Sequence, residues 1–363
     1  MTKRNLSLLT CGLILSASSV FAESSLEEAF SSGKASGDIS AHTFKQSNNF
    51  GDDEGFTAGT VGVTYETGSF NNFSGKVSFR AGHKFSEVEA DDYEGEFNSN
   101  AIMHEALIKY DVEEFTATVG RQKLRFEWLT KWNESAVAKI KSIQNTTLSV
   151  GFADRRGRAG SDKIKKFKNI NNDGIYFIDA KVEAIKGLEL NPYYFSMPNL
   201  ADIYGMKASY SNDSFGILGH YASTNEDDSS INDGSIYQLE ASAVLGQVNL
   251  AAGYISTDSD GGIGSMDTYG DNIDPTEEIG DAVYGRDANT YYGTISTEVS
   301  GVDLGLLYAK ADYEDNKELE EVSLFVDYAL SDKFSVEFVY TDVASNSDNE
   351  EFDKVSFTST YTF

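Results

Sequence analysis

The last ten residues of the chain alternate between bulky apolar and polar side chains. The apolar positions of one parity are Val355, Phe357, Tyr361 and Phe363. Successive side chains of a β-strand point to opposite faces, so this period of two indicates a strand with one apolar face and one hydrated face. The same pattern recurs in Thr57 to Thr67, Phe73 to Phe85, Ile102 to Val112, Ile175 to Ala184, Tyr237 to Leu245, Tyr291 to Val299 and Phe334 to Tyr340. The chain is therefore predicted to be all-β.

The first 22 residues have a different character. Lys3 and Arg4 precede an apolar run, and small residues lead to Ala22. This order is typical of a secretory signal peptide cleaved before Glu23. A lipoprotein signal at Cys11 is the weaker alternative, because the apolar run continues past that residue. Residues 23–363 then form a single domain without cysteine, which excludes disulfides and thiolate metal sites, and no cofactor is expected.

Charge and hydropathy limit the kinds of protein that this sequence can form. The mature chain carries 58 acidic and 27 basic residues, a formal charge of −31. Such a surface repels nucleic acid, which excludes that partner. No run of 18 apolar residues follows Ala22, so no membrane-spanning helix is predicted. The mean hydropathy of −0.36 resembles that of a soluble protein, yet a membrane β-barrel gives the same average because only alternate residues face lipid.

The connections between predicted strands alternate in length. Tight turns such as 68–72, 111–114 and 331–333 interleave with the polar segments 45–55, 86–100, 155–172, 224–233, 258–287 and 345–352. Short periplasmic turns and longer external loops give a transmembrane antiparallel barrel this rhythm. Strands at 134–143 and 145–154 bring the predicted total to eighteen, and sixteen is the alternative if both belong to an inserted loop. A barrel of either size leaves an aqueous channel, which favours passive diffusion of small polar solutes and ions.

Three segments resemble a known family. The terminal Phe363, with Tyr361 and Phe357, resembles the C-terminal signal by which the barrel-assembly machinery recognises outer-membrane barrels. Leu26 to Phe30 with Gly33, Lys34 and Gly37, together with Val119 to Leu124, are similar to the OprD-like porins, including those of epsilonproteobacteria. The resemblance implies eighteen strands, an inward-folded third loop after Arg121 and Gln122, and a ladder of basic residues that guides solutes. Arg125 to Trp128 stands where members often place a proline.

Strand parity predicts which charged side chains face the lumen. The predicted lining and constriction residues are Lys76, Arg80, Lys84, Glu105, Lys109, Arg121, Lys123, Arg125, Lys139, Lys141, Lys181, Glu240, Glu298 and Glu337, and the same parity adds Glu321, Asp327 and Lys354. The sign changes between the two halves of the chain, which predicts a field across the pore. An accidental pattern of solvated residues is the alternative. Arg121 shares parity with Val119, so it points to lipid unless Gly120 forms a bulge or the strand has reached the rim.

Two loop segments have strong charge. Residues 121–168 hold 13 of the 27 mature basic residues, which predicts an anion-attracting mouth near the third loop, or else an external loop that contacts lipopolysaccharide. Residues 258–287 hold nine acidic residues and one arginine. Asp258, Asp260 and Asp267 are calcium candidates, but the spacing lacks a closing glutamate, which favours a solvated acidic loop.

Two other functions are alternatives to that of an outer-membrane porin. A barrel hydrolase would need a nucleophile beside a histidine, and His83 and His104 have none in a recognisable motif. An adhesive or structural surface protein would need a large folded loop or a periplasmic domain, and neither is visible in the sequence. The expected partners are outer-membrane lipid, lipopolysaccharide, small polar solutes and ions, the barrel-assembly machinery and further copies in a homotrimer.

Overall fold

A computed structural model describes residues 24–269, 272–314, 316–346 and 350–363. The predicted signal peptide lies outside them. The helices are α1 (Leu26–Ser31), α2 (Asp92–Glu96), a 3-10 helix (Gly264–Tyr269) and α3 (Gly280–Val283). The strands are β1 (Lys34–Asn48), β2 (Glu54–Glu66), β3 (Phe73–Glu87), β4 (Ala101–Val112), β5 (Phe115–Phe126), β6 (Leu129–Ile140), β7 (Thr146–Ala159), β8 (Ile164–Asn169), β9 (Ile175–Ile185), β10 (Leu188–Met197), β11 (Ala201–Ser211), β12 (Phe215–Glu226), β13 (Ser235–Leu245), β14 (Val248–Thr257), β15 (Asn289–Val299), β16 (Val302–Tyr313), β17 (Lys317–Ser331), β18 (Phe334–Ser345) and β19 (Phe352–Thr362).

Eighteen of these strands close into an antiparallel barrel. β1 pairs with β2 on one side and with β19 on the other, so the first and last strands complete the ring. β7 pairs directly with β9 across the wall, and β8 is an extra strand that extends β7 as a hairpin. The predicted eighteen strands are confirmed. Closure matters physically because an open edge would leave backbone amides unsatisfied in hydrocarbon.

The outer face carries the apolar half of each alternating strand. Phe357, Tyr361 and Phe363 are 40%, 42% and 49% exposed, as expected for side chains that meet lipid. The strands predicted from alternation coincide with β2, β3, β4, β9, β13, β15, β18 and β19 to within a few residues. No helix within the described ranges is long and apolar enough to cross a membrane.

The two ends of the barrel differ in their connections. Periplasmic turns such as 113–114, 186–187 and 300–301 contain two residues, whereas the external connections 88–100, 160–174 and 258–288 are much longer. Three external connections, 127–128, 198–200 and 314–316, are nevertheless as short as turns. The predicted difference between the two ends therefore holds for most external loops but not for all.

Candidate functional site: the permeation pathway

The connection between β5 and β6 folds into the barrel. Pairing of β5 with β4 ends at Arg121, while its pairing with β6 continues to Phe126. Gly120 stands at this separation with φ of 123°, a conformation that other residues rarely adopt. Residues 122–133, which we call the third-loop hairpin, thereby leave the wall next to β4. This is the inward-folded third loop expected from the sequence.

Polar contacts hold the tip of the third-loop hairpin against the far wall. Trp128 is fully buried, and its indole Nε1–H donates to the hydroxyl of Tyr193 at 2.9 Å. The same hydroxyl lies 2.7 Å from Nε2 of His220. Lys207 of β11 pairs with the Glu127 carboxylate at 2.8 Å. The hairpin thus divides the lumen between β5 and the β10–β12 wall.

The connection 258–288, which we call the seventh loop, also enters the lumen. Its apolar side chains Ile263, Met266, Ile279 and Val283 are 0–4% exposed and belong to the core that contains the third-loop hairpin. The side-chain amide of Asn272 donates to the backbone oxygen of Phe126 at 2.9 Å. The predicted solvated acidic loop is therefore wrong, because an apolar face beneath the carboxylates packs the loop inside the barrel.

Glu321 of β17 fixes the seventh loop in place. This fully buried carboxylate accepts backbone N–H groups from Glu277 and Glu278 at 2.8 Å and from Ile279 at 3.2 Å. The hydroxyl of Ser323 donates a fourth hydrogen bond at 2.8 Å. Four donors replace the water that a buried carboxylate loses. Glu321, predicted to line the pore, in fact anchors a loop.

The space left beside these inserted segments is a cavity of about 740 Å³, which we call the vestibule. Its walls come from β1, β2, β18 and β19, from residues 90–96, from the β7–β8 connection and from the seventh loop. Eight carboxylates and two lysines line it: Glu54, Asp91, Asp92, Glu96, Asp162, Glu277, Glu278, Glu337, Lys163 and Lys354. Both lysines are paired, Lys354 with Glu278 at 2.8 Å and Lys163 with Glu96 at 3.2 Å.

Most of the predicted basic lining residues are paired with carboxylates. Their side chains lie opposite in parity to exposed residues such as Phe73 and Phe79. The pairs are Lys76–Glu105 at 2.9 Å, Arg80–Asp38 at 2.5 Å, Lys84–Glu87 at 2.8 Å, Lys109–Asp111 at 2.7 Å and Lys181–Glu189 at 3.6 Å. Lys139 and Lys141 form no ion pair with the described residues, and Lys141 donates to Thr116 Oγ1 at 3.4 Å.

The sequence predicted that these basic residues gather at one height near the third loop. In the structure they are spread along the barrel axis. Lys109, Lys139 and Lys141 lie close to the periplasmic ends of β4 and β6, whereas Lys84 lies near the external end of β3. Alternation along a strand assigns side chains to faces, but it carries no information on which residues of different strands share a level.

The basic segment 121–168 is partly neutralised as well. Arg121 and Arg155 both pair with Glu134, at 2.6 and 3.4 Å, and the Arg121 guanidinium lies 4.2 Å from the centre of the Phe167 ring. Arg121 is thus covered by the β7–β8 hairpin and does not point to lipid. Lys123 lies over the Trp132 ring, and Arg125 is exposed on the free face of the third-loop hairpin.

A row of four carboxylates crosses the opposite wall. Glu298 of β15 is paired in register with Asp303, Asp303 with Asp327, and Asp327 with Glu337 of β18. Directly paired residues of antiparallel strands place their Cα atoms about 4.5–5.5 Å apart. None of the four forms an ion pair within the described part of the chain. We call this row the acidic track. It runs from the periplasmic end of β15 to Glu337 in the vestibule.

The sequence identified three of these four carboxylates but missed Asp303, which follows a turn and carries no alternation signal of its own. It also missed Asp38, Glu277 and Glu278. Glu240, the remaining predicted acidic residue, accepts a hydrogen bond from the Tyr292 hydroxyl at 2.7 Å. The signal that could have revealed the acidic track is strand register, which alternation alone does not provide.

The calcium candidates gain no support. The Asp258 carboxylate accepts the backbone N–H groups of Asp260 and Gly261, both at 2.8 Å, and so closes its own turn. Across the residues that the structure describes, no three His, Cys, Asp or Glu side chains are arranged to hold a metal ion. His83 packs beside Phe85 and His104 beside Trp132, so the two histidines contact different rings.

Comparison with known proteins agrees with this architecture. Residues 9–349 match the family model for Gram-negative porins. Among solved structures, OccK3 (OpdO) of Pseudomonas aeruginosa superposes with a TM-score of 0.78 at 16% identity, covering 93% of this chain and 97% of that one. OccAB1 of Acinetobacter baumannii superposes with a TM-score of 0.74 at 12% identity, covering 93% of this chain and 98% of that one.

A third solved structure, OpdK of Pseudomonas aeruginosa with vanillate, gives a TM-score of 0.71 at 11% identity and covers 91% of this chain and 98% of that one. Comparison with curated protein sequences found no match. The expected OprD-like architecture is confirmed at the level of the fold. The family match spans nearly the whole sequence, so the chain belongs to the Gram-negative porins and forms a passive channel in the outer membrane.

Proposed function

We propose that this porin favours cations and small cationic solutes. The observation that carries the proposal is the acidic track. Its four carboxylates have no cationic partner among the described residues, while most of the basic lumen residues have anionic ones. Fixed charges in a narrow lumen determine which ions enter it. A paired lysine presents a dipole to a passing ion, whereas an unpaired carboxylate presents a net charge.

The position of the acidic track supports the same proposal. Glu337 belongs both to the track and to the vestibule wall, where eight carboxylates face two paired lysines. A cation therefore passes a negatively charged wall from the vestibule to the periplasmic end of β15, in which the Asp327 carboxylate is itself only 5% exposed. The Debye length at physiological salt is about 8 Å, so neighbouring carboxylates act on the same ion while charges on distant external loops are screened.

The basic residues Lys139 and Lys141 could attract anions and so oppose the proposed cation preference. Both are exposed near the periplasmic end of β6, on the wall away from the acidic track. An anion that enters from the external side passes the acidic vestibule before it reaches them. We therefore expect anionic solutes, including carboxylates such as the vanillate bound by OpdK, to pass less readily than cations of similar size.

The proposal is tested by zero-current potentials in planar bilayers under a KCl gradient. Replacing two track residues, Asp303→Asn with Asp327→Asn, should reduce the preference for K⁺ over Cl⁻. The matched control is Asp227→Asn with Asp228→Asn, which removes the same charge from an exposed external loop. Equal shifts from the two double variants would show that the track does not set the selectivity.

We also propose that the exposed aromatic residues Phe357, Tyr361 and Phe363 on β19 serve as the signal for the barrel-assembly machinery. Their outward position leaves them available to a partner that binds the last strand by its edge before closure. Lipopolysaccharide contacts of the external loops and assembly into a homotrimer are proposals from family resemblance. Enzymatic activity is disfavoured by the porin family match.

A further inference from the structure

The short helix α1 precedes the first strand and is tied to the periplasmic end of the barrel. Ser25 caps it by accepting the backbone N–H of Glu28 at 3.1 Å. Gly68, in the turn between β2 and β3, donates its N–H to the backbone oxygen of Ala29 at 2.8 Å. The Tyr65 hydroxyl donates to the backbone oxygen of Phe30. The helix therefore has a fixed position beside this turn.

Tyr65 determines on which side of the wall α1 lies. It shares strand parity with Val61 and Val63, which are 42% and 45% exposed on the outer face of β2. It is also paired in register with Val77, which has the outward parity of Phe73 and Phe79. Because the Tyr65 ring lies outside the barrel, the helix that it contacts also lies at the outer rim.

Two bulky apolar side chains of α1 have no cover in the described structure. Leu26 is 59% exposed and Phe30 is 55% exposed, and the two lie one helical turn apart on the same face. Ala29, beside them, is buried against the barrel, while Glu27 borders this face and Glu28 lies on the opposite side of the helix. The uncovered face is therefore continuous with the barrel wall and bounded by carboxylates.

The neighbouring outward residues belong to an aromatic belt. Phe73 packs against Tyr110 with ring centres 4.9 Å apart, and Tyr110 contacts Phe115 at 6.5 Å. All three stand at the periplasmic ends of β3, β4 and β5. Girdles of aromatic residues mark the membrane interfaces of transmembrane barrels. The backbone oxygen of Phe30 accepts a hydrogen bond from the Tyr65 hydroxyl. The Phe30 ring therefore extends this belt toward the periplasm, past the end of β2.

We propose that α1 is an interfacial anchor whose Leu26 and Phe30 insert into the periplasmic leaflet of the outer membrane. The occupant is lipid because the exposed face is continuous with the lipid-facing wall of a family that resides in that membrane. Glu27 and Glu28 stay in the periplasmic water, as polar faces of interfacial helices do. The proposal is independent of the ion preference of the pore.

Tryptophan fluorescence tests the proposal in the full-length barrel. Phe30→Trp is reconstituted in phosphatidylcholine vesicles with either ordinary or brominated acyl chains, and the signal of the parent with its Trp128 and Trp132 is subtracted. Phe79→Trp, which faces lipid, and Asp332→Trp, in a periplasmic turn, are the two controls. Aqueous iodide, present on both sides of the membrane, is the second quencher.

We expect brominated lipid to quench Phe30→Trp as it quenches Phe79→Trp, and iodide to quench only Asp332→Trp. Quenching of Phe30→Trp by iodide alone would place the helix in water and overturn the proposal. Protection from both quenchers would mean that another protein copy covers the helix, which also overturns it. Leu26→Trp gives an independent probe of the same face if Phe30→Trp does not fold.

Discussion

Asp327 of β17 lies directly opposite Glu337 of β18, with both side chains inside the barrel and no cationic partner among the described residues. Like charges placed opposite each other across a sheet repel, so the pair does not stabilise the fold. Ion pairs such as that between Arg80 and Asp38 show that charges elsewhere in the lumen are neutralised. The acidic track is therefore a row of like charges that the fold leaves without cationic partners among the described residues, as the proposed cation preference requires.

Asp327→Asn should accordingly stabilise the barrel, by about 0.2–1 kcal/mol, because it removes repulsion from Asp303 and Glu337. Asp38→Asn is the matched comparison, since the same substitution there removes the partner of Arg80 and should destabilise the fold by about 1–3 kcal/mol. Urea unfolding of both variants in lipid vesicles measures the difference. A loss of stability in both would contradict the assignment of Asp327 as unpaired.

Glu321→Gln should release the seventh loop. A neutral amide accepts hydrogen bonds more weakly than a carboxylate and cannot satisfy the N–H groups of Glu277, Glu278 and Ile279 at once. We expect a loss of about 2–4 kcal/mol in unfolding free energy and larger, noisier single-channel currents. Glu320→Gln is the control, because Glu320 pairs with Lys310 on the other face of β17. Unchanged conductance in Glu321→Gln would mean that the loop stays in place without its anchor.

Gly120→Ala should disturb the point where the third-loop hairpin leaves the wall. A Cβ atom at Gly120 would lie 2.1 Å from the backbone oxygen of Ala106, and its φ of 123° is strained for alanine. Strain of this kind costs about 1–3 kcal/mol. Gly75→Ala, where the nearest atoms lie 3.8 Å away, should be nearly neutral. Refolding yield and unfolding midpoint distinguish the two, and similar values would contradict the role of Gly120.

Deleting Phe363 should lower the amount of barrel in the outer membrane. The side chain is 49% exposed at the end of β19, so it adds little packing, but the backbone of Phe363 exchanges two 3.0 Å hydrogen bonds with Gly37 that the deletion also removes. Phe363→Ser keeps those backbone hydrogen bonds, so a large decrease in membrane level in that variant, with unchanged stability of the refolded barrel, would identify a defect in assembly. Thr362→Ser is the control, and normal membrane levels after deletion of Phe363 would exclude the terminal signal.

The barrel could be predicted from the sequence because its evidence is local. Alternation in segments such as Phe73 to Phe85 gives the strand, its outward face and its approximate ends without knowledge of any partner strand. The charged pathway could not be predicted in the same way. The pairing of Lys76 with Glu105, and the row that joins Asp303 to Asp327, depend on register between strands.

The position of the seventh loop and the direction of the Arg121 side chain escaped prediction for a second reason. Polar residues of the seventh loop suggest a solvated surface, yet Ile263, Met266 and Ile279 are irregularly spaced among them and together form the face that packs inside. Arg121 has outward parity along β5. The conformation of Gly120, the residue before it, interrupts the regular alternation, so the Arg121 side chain does not point to lipid. Local periodicity carries no information about either event.

If unpaired carboxylates make this porin prefer cations, the unmodified protein should show that preference in its zero-current potential. The measurement is made in a neutral planar bilayer with a KCl gradient across it, so that the lipid adds no charge of its own. We expect a potential of the sign that denotes K⁺ moving more readily than Cl⁻. A potential of the opposite sign, or none, would exclude a cation preference.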